Sequence, residues 1–260
     1  MGATMPNAQT HLASVWDLLN RPPIQAVFGW LAEPEAQAAF LLGAISPDVR
    51  IVSGHSREET HFFGIPALDP RSAPVIFLDT WPELANAALV SRQQAAFISG
   101  YMTHLVMDQV WVERIVMDGL FIEGLEWGIG HPNWRLYSIL MTYLEYRAAS
   151  RLPRVALERL SAARPDHWLP FVEDKHLAAW RSHVLSHVGP GGARHISRLF
   201  ARTNGLTSDE MESIVLSDEQ MAAEVYGVIS PAQIAIFDAE TTSHSVEVVS
   251  GYLSGLALDG

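Results

Sequence analysis

The chain has 260 residues, 48% of them hydrophobic and 18% charged, a formal net charge of −12 and no cysteine. That length fits one large domain or two small ones, and the composition supports a substantial core and lies well away from the disordered class. The acidity argues against a broad nucleic-acid surface, which needs clustered Lys and Arg, and the missing thiols exclude disulfides, thiolate zinc sites, iron–sulfur clusters and cysteine nucleophiles.

The first residues, Met1 to Asn7, lack a basic stretch followed by an apolar one, so no secretory signal is read there. No apolar run approaches the ~20 residues of a membrane span, and the cytoplasm is the expected location. Leu12, Val15, Leu18 and Leu19 share one face of a helix predicted over 8–19, which Pro22-Pro23 ends or re-aims. Further helices are expected over 24–31 and 34–44. Between Ser46 and Pro82, prolines 47, 66, 70, 74 and 82 and glycines 54 and 64 predict a long irregular loop, a feature often tied to function. Within it Val75-Ile76-Phe77-Leu78 is the one strand candidate, and Thr80 is placed to cap a helix starting near Pro82.

A long helix is predicted over 93–116. A break marked by Gly119, Gly124, Gly128 and Gly130 then leads to a helix over 132–150. Beyond Pro153, helices are expected over 154–163, 171–188, 208–228 and 231–256, with Gly189-Pro190-Gly191-Gly192 as the sharpest break. No internal repeat or low-complexity tract is present. The expected fold class is all-α, a multi-helix bundle, with residues 1–150 as a metal-binding core and 151–260 as helices packed on it.

The chemistry starts at Tyr101-Met102-Thr103-His104-Leu105-Val106-Met107-Asp108-Gln109. His104 and Asp108 are four apart on a helix, so their side chains leave one face a turn apart. The segment is otherwise apolar. Burying an imidazole and a carboxylate costs several kcal/mol unless they are paired or bind metal. The pair alone admits two readings, a His–Asp hydrogen bond in the core or two ligands of an ion. Leu41-Leu42-Gly43-Ala44-Ile45-Ser46-Pro47-Asp48 adds a carboxylate after a helix end, and Ser56 to Phe62 adds His61 thirteen residues later. His11 lies on or beside the apolar face of the first helix. Several histidines with two aspartates, in a chain without thiols, favour metal binding.

In order and separation, Thr10-His11, Leu42-Gly43-Ala44-Ile45-Ser46-Pro47-Asp48, Arg57 to His61-Phe62 and Gly100-Tyr101-Met102-Thr103-His104 to Asp108 resemble the zinc-dependent phospholipase C family, related in fold to the S1/P1 nucleases. The resemblance covers about residues 6–115. It implies that Asp48, His61, His104 and Asp108 surround one metal ion and that Asp108 bridges to a second ion on His11; imidazole and carboxylate ligands suit zinc, with Mn or Fe admissible because no thiolate selects for zinc. The family's second site is completed by the N-terminal residue of the secreted enzyme, and His11 lies ten residues inside this chain. The third family site has no convincing match, Glu113, His131 and Glu145 being the nearest residues, so one or two ions are expected. The implied activity is hydrolysis of a small phosphate ester, in the main a phosphodiester, with Asp48 orienting or deprotonating the attacking water.

His55, Arg57, Glu113 and His131 are candidates for supporting the ligands or meeting the substrate. Arg57 suits a phosphate, although Glu58 and Glu59 are equally placed to neutralise it. His183 and His187, with His176 seven residues earlier, form a rival pair read as a solvated, metal-free face, and His167, His195 and His244 stand alone. Walker, dinucleotide and Gly-x-Ser-x-Gly motifs are missing. Three alternatives stay open: a non-catalytic metal-binding or structural helical module, a metal hydrolase acting on something other than phosphate, and a phosphohydrolase of the HD type, the last weakened by the lack of a His-Asp dipeptide.

Overall fold

The computed structural model describes residues 6–65, 69–122, 125, 127–189 and 191–255. All regular structure among them is helical, and no strand occurs. Residues 1–5, Pro66, Gly124 and Pro190, used above to read the terminus and the breaks, lie outside them.

Caps and prolines set the starts of the helices. α1 (Ala8–Leu19) buries Leu12, Val15, Leu18 and Leu19, the face given by their spacing. α2 (Pro22–Val27) opens on its prolines, a 3-10 turn covers Gly29–Ala32, and α3 (Pro34–Gly43) again starts at proline. The region expected as an irregular loop is instead a chain of short helices. A 3-10 turn (Ser46–Val49) runs into α4 (Arg50–Ser53), followed by α5 (Arg57–His61) and α6 (Ala73–Thr80). Pro47 and Pro74 sit in first turns, where a missing N–H costs nothing, and Gly54 ends α4 with a left-handed φ of 81°. The breakers therefore mark helix ends. Val75–Leu78 belongs to α6 and is no strand. Thr80 caps nothing: its hydroxyl donates to the Ile76 carbonyl (2.6 Å), and the turn Pro82–Leu84 follows Trp81.

α7 (Arg92–Trp111), capped by Ser91, runs on as a π-helix over Val112–Leu120. It is buried along most of its length, which explains why no single apolar face is visible in it. The second half supplies α8 (Trp134–Arg151), α9 (Arg154–Ala162), α10 (Asp174–Leu185), α11 (Gly192–Thr203), α12 (Ser208–Val215), α13 (Asp218–Met221) with a π turn to Tyr226, and α14 (Pro231–Ser254). α11 was not expected. The helix predicted over 208–228 breaks at Leu216–Ser217, where the Ser217 hydroxyl caps α13.

α3 and α14 both pack along α7, α1 packs on α8, and α9 lies on α3. At the α3–α7 crossing the backbones touch. A Cβ on Gly43 would stand 2.0 Å from the Phe97 carbonyl oxygen, and one on Gly100 would stand 2.0 Å from that of Phe40. One apolar core runs from Leu12 to Tyr252 through both halves. The Trp180 indole of α10 donates to the Ile45 carbonyl (2.6 Å), tying the second half to the turn that carries Asp48. No helix of the described residues is long and apolar enough to cross a membrane.

Candidate metal centre

Four stretches of backbone deliver five side chains to one point. His11 comes from α1, Asp48 from the turn after α3, His61 from the end of α5, and His104 and Asp108 from α7. The Gly43–Gly100 contact makes this possible, because it lets the Ala44 carbonyl reach His104 and sets Asp48 over the same turn of α7. α5 is fixed at its start by a reciprocal cap, Ser56 with Glu59, and at its end by the Tyr101 hydroxyl, which donates to the Thr60 carbonyl.

Asp108, fully buried, is the centre. The Nε2 atoms of His11, His61 and His104 lie 3.4, 3.4 and 3.6 Å from its carboxylate oxygens, and His61 Nε2 is 3.5 Å from Asp48 Oδ1. Charge-assisted hydrogen bonds between such groups are about 2.7–2.9 Å long. Two ligands of a tetrahedral ion at ~2.0–2.1 Å stand about 3.3 Å apart. The observed separations match the second spacing and are too long for the first. Nε2 of all three histidines and Oδ1 of Asp108 are buried without any hydrogen-bond partner, an arrangement that costs several kcal/mol if nothing fills it. The His–Asp hydrogen bond considered for His104 and Asp108 is therefore not formed.

The outer nitrogens are already used. His104 Nδ1 donates to the Ala44 carbonyl at 2.8 Å. His61 Nδ1 lies 3.0 Å from the Thr60 hydroxyl, which has its own acceptors in the Ser56 and Arg57 carbonyls and so accepts from the ring. With the proton held on Nδ1, each ring turns a lone pair inward, as metal-bound histidines do. The His11 ring stacks on His104 at 3.8 Å and 4°.

Electrostatics follow from burial and proximity. Burial lowers the pKa of His11, helped by His104, and burial lowers that of His61, helped by Arg57. Burial acts the same way on His104, but the Asp108 carboxylate outweighs it and raises the value. For Asp108, burial raises the pKa and the facing histidines more than reverse this, holding it well below the carboxylate range. Burial likewise raises Asp48, and His61 and His104 bring it down to about 2. Both carboxylates are ionised at neutral pH.

The centre opens on one side only. His11, His61, His104 and Asp108 are at most 1% exposed, whereas the side chains of Asp48 and Arg57 are 15% and 18% exposed. A cleft of about 710 Å³ runs along α5, lined by Phe62, Phe63, Trp81 and Phe171 and by His55, Glu58 and Glu59; the side chains gathered around Asp108 do not line it. His55 faces this cleft and is held by Ser53 (2.7 Å). Arg57 joins the centre itself, donating to Asp108 Oδ2 (3.2 Å) and to the Phe63 carbonyl (3.0 Å). Glu113 and His131 are not brought there. Glu113 is exposed and accepts from Gln109, and His131 is buried against Trp127 with Nδ1 accepting from the Asn133 amide. Glu145 is buried too, but its carboxylate accepts from the Thr10 hydroxyl (2.9 Å), bracing the residue next to His11.

No pattern in the sequence marks the Arg57–Asp108 pair, the Thr60 and Ala44 acceptors, or the backbone contacts of Gly43 and Gly100. The glycines were the available signal, since each stands beside a ligand motif. Among the described residues only two groups of three or more ligand atoms come within 4.8 Å of one another, His11–His104–Asp108 and Asp48–His61–His104. Comparison of the chain with family models, curated proteins and solved structures finds no match.

Proposed function

We propose that this protein is a metal-dependent hydrolase of phosphoesters, with phosphodiesters as the substrate class and zinc as the natural ion, Mn or Fe being admissible. The observation that carries the reading is the set of three buried, unpartnered imidazole nitrogens facing Asp108 at the spacing of metal ligands. The donor set of imidazole and carboxylate fits these ions. The motif order resembling the zinc-dependent phospholipases C, on an all-α fold, supplies the reaction class.

Asp48, His61, His104 and Asp108 would hold the ion. A divalent ion so held lowers the pKa of bound water towards ~7 and supplies hydroxide at neutral pH. The chain's own residues then set the geometry. Asp48, at the open edge and ionised, accepts a hydrogen bond from water and orients it. The Ala44 carbonyl and the Thr60 hydroxyl fix the ring planes of His104 and His61. The aromatic cleft along α5, next in sequence to His61, would take the apolar part of a substrate.

A second reading keeps the ion and drops the chemistry, and the burial of four of the five ligands favours it. A panel of phosphodiesters and monoesters, assayed with Zn²⁺, Mn²⁺ and Fe²⁺, separates the two. Turnover of a diester that falls at least ~100-fold in His104→Ala and Asp108→Ala variants of unchanged helicity is expected. Absence of turnover across the panel from protein that retains its ion would favour the structural role.

A further inference from the structure

Arg57 raises a question of ion count. Its guanidinium is held on three sides: Nη2 on Asp108, Nη1 on the Phe63 carbonyl, and the plane over the Phe63 ring at 4.5 Å. A fixed cation therefore already stands within the carboxylate cluster. Arg57 and His61 are four apart on α5, so the element that supplies a ligand also supplies this charge.

The donors are too few for two complete metal sites. His104 Nε2 belongs to both groups of ligand atoms, yet it has one lone pair, and its other nitrogen is spent on Ala44. If His104 joins Asp48, His61 and Asp108 Oδ2, the second position keeps only His11 Nε2 and Asp108 Oδ1, 3.4 Å apart, and a proton on His11 Nε2 joins that pair in place of an ion. Sites for such ions ordinarily have three or four protein ligands. Charge gives the same answer. Asp48 and Asp108 carry −2, which one divalent ion cancels, and Arg57 leaves +1 before hydroxide or substrate is counted. A second divalent ion would leave +3 in a buried cluster.

We infer that the centre takes one ion and that Arg57 replaces a second, binding a non-bridging oxygen of the phosphoryl group. This rests on the metal-hydrolase reading above. Two of the five guanidinium N–H donors have protein acceptors among the described residues, and the side chain is partly exposed, as Asp48 is, so donors remain that an anion can use. Asp108 is thus the link between the two cations: its Oδ2 accepts from Arg57 and faces His61 and His104. The anion recognised is the phosphoryl group itself, so a free phosphate competes for the same place.

The test uses the full chain. Metal-stripped protein is titrated with Zn²⁺ by calorimetry, and the bound metal is then counted by mass spectrometry. One equivalent is expected in the wild type and in Arg57→Ala and Arg57→Lys. Inorganic phosphate titrated into the one-zinc forms should bind at least ~10-fold more weakly in Arg57→Ala, with Arg57→Lys between the two. Two tightly bound equivalents in the wild type would overturn the inference and leave the hydrolase reading standing. Less than half an equivalent would overturn both. Phosphate affinity in Arg57→Ala within twofold of wild type would overturn the role of Arg57. The wild-type count needs no variant to fold.

Discussion

Two clusters of three histidines occur in this molecule, and they differ in everything except the residue type. His11, His61 and His104 are buried around Asp108, while His183, His187 and His195 lie in a row at the surface where α10 meets α11, with ring centroids 4.5 and 4.4 Å apart. In the first cluster the outer ring nitrogens of His61 and His104 are bonded to Thr60 and Ala44, and inner lone pairs converge on a carboxylate. In the second, His187 Nδ1 turns back to the His183 carbonyl and the Ser186 hydroxyl, and the charges acting on His195 are those of His187, Arg198 and His183. Desolvation and these neighbours lower the pKa of His183 and His195. Lone pairs that do not converge, with no carboxylate to balance an ion, make a poor metal site. A count of histidines does not find a centre; the carboxylate and the outer-nitrogen acceptors do.

The largest way to break the buried cluster is through its backbone. In Gly100→Ala the new Cβ meets the Phe40 carbonyl oxygen, so α3 and α7 must part. The expected loss is about 3 kcal/mol, a fall in Tm on the order of 10 °C, accompanied by weaker metal binding. Gly29→Ala, with nothing within 4 Å of its Cβ, serves as the control and should stay within ~0.5 kcal/mol. Thermal melts of the two variants that coincide would contradict the close approach.

A smaller effect belongs to Glu145, which braces α1 through Thr10. Burial raises its pKa to about 7, against hydrogen bonds from Thr10 that lower it. The folded state therefore keeps a proton that the unfolded chain releases above about 4.5. Stability from this group is fully present below that pH and is lost as pH rises towards 7, by about 3 kcal/mol. Urea unfolding at pH 4.5 and 7.5 measures it. Glu145→Gln should remove this part of the slope, and an unchanged slope would show that Glu145 titrates normally.

Much of this was legible in the sequence. The long helices follow from apolar spacing and proline positions, and the five side chains that the fold brings together stand in four short segments whose order carries the information. What escaped is local or distant in a particular sense. α4 and α5 have four and five residues, too few for a helical period, so the prolines and glycines around them read as a loop. α11 begins at Gly192 directly after a glycine-rich break, and its His195, isolated in the sequence, sits beside His187. The Arg57–Asp108 and Thr10–Glu145 contacts span 51 and 135 residues, separations over which one sequence holds no pattern.

The contrast between the two clusters is tested most directly by X-ray absorption at the zinc edge, on protein loaded with one equivalent. The expected first shell holds nitrogen and oxygen only, at ~2.0–2.1 Å, with outer-shell scattering from about two imidazoles. His187→Ala should leave that spectrum unchanged, and His104→Ala should abolish it along with the bound metal. A spectrum altered by His187→Ala and indifferent to His104→Ala would place the ion on the surface row and contradict the buried centre.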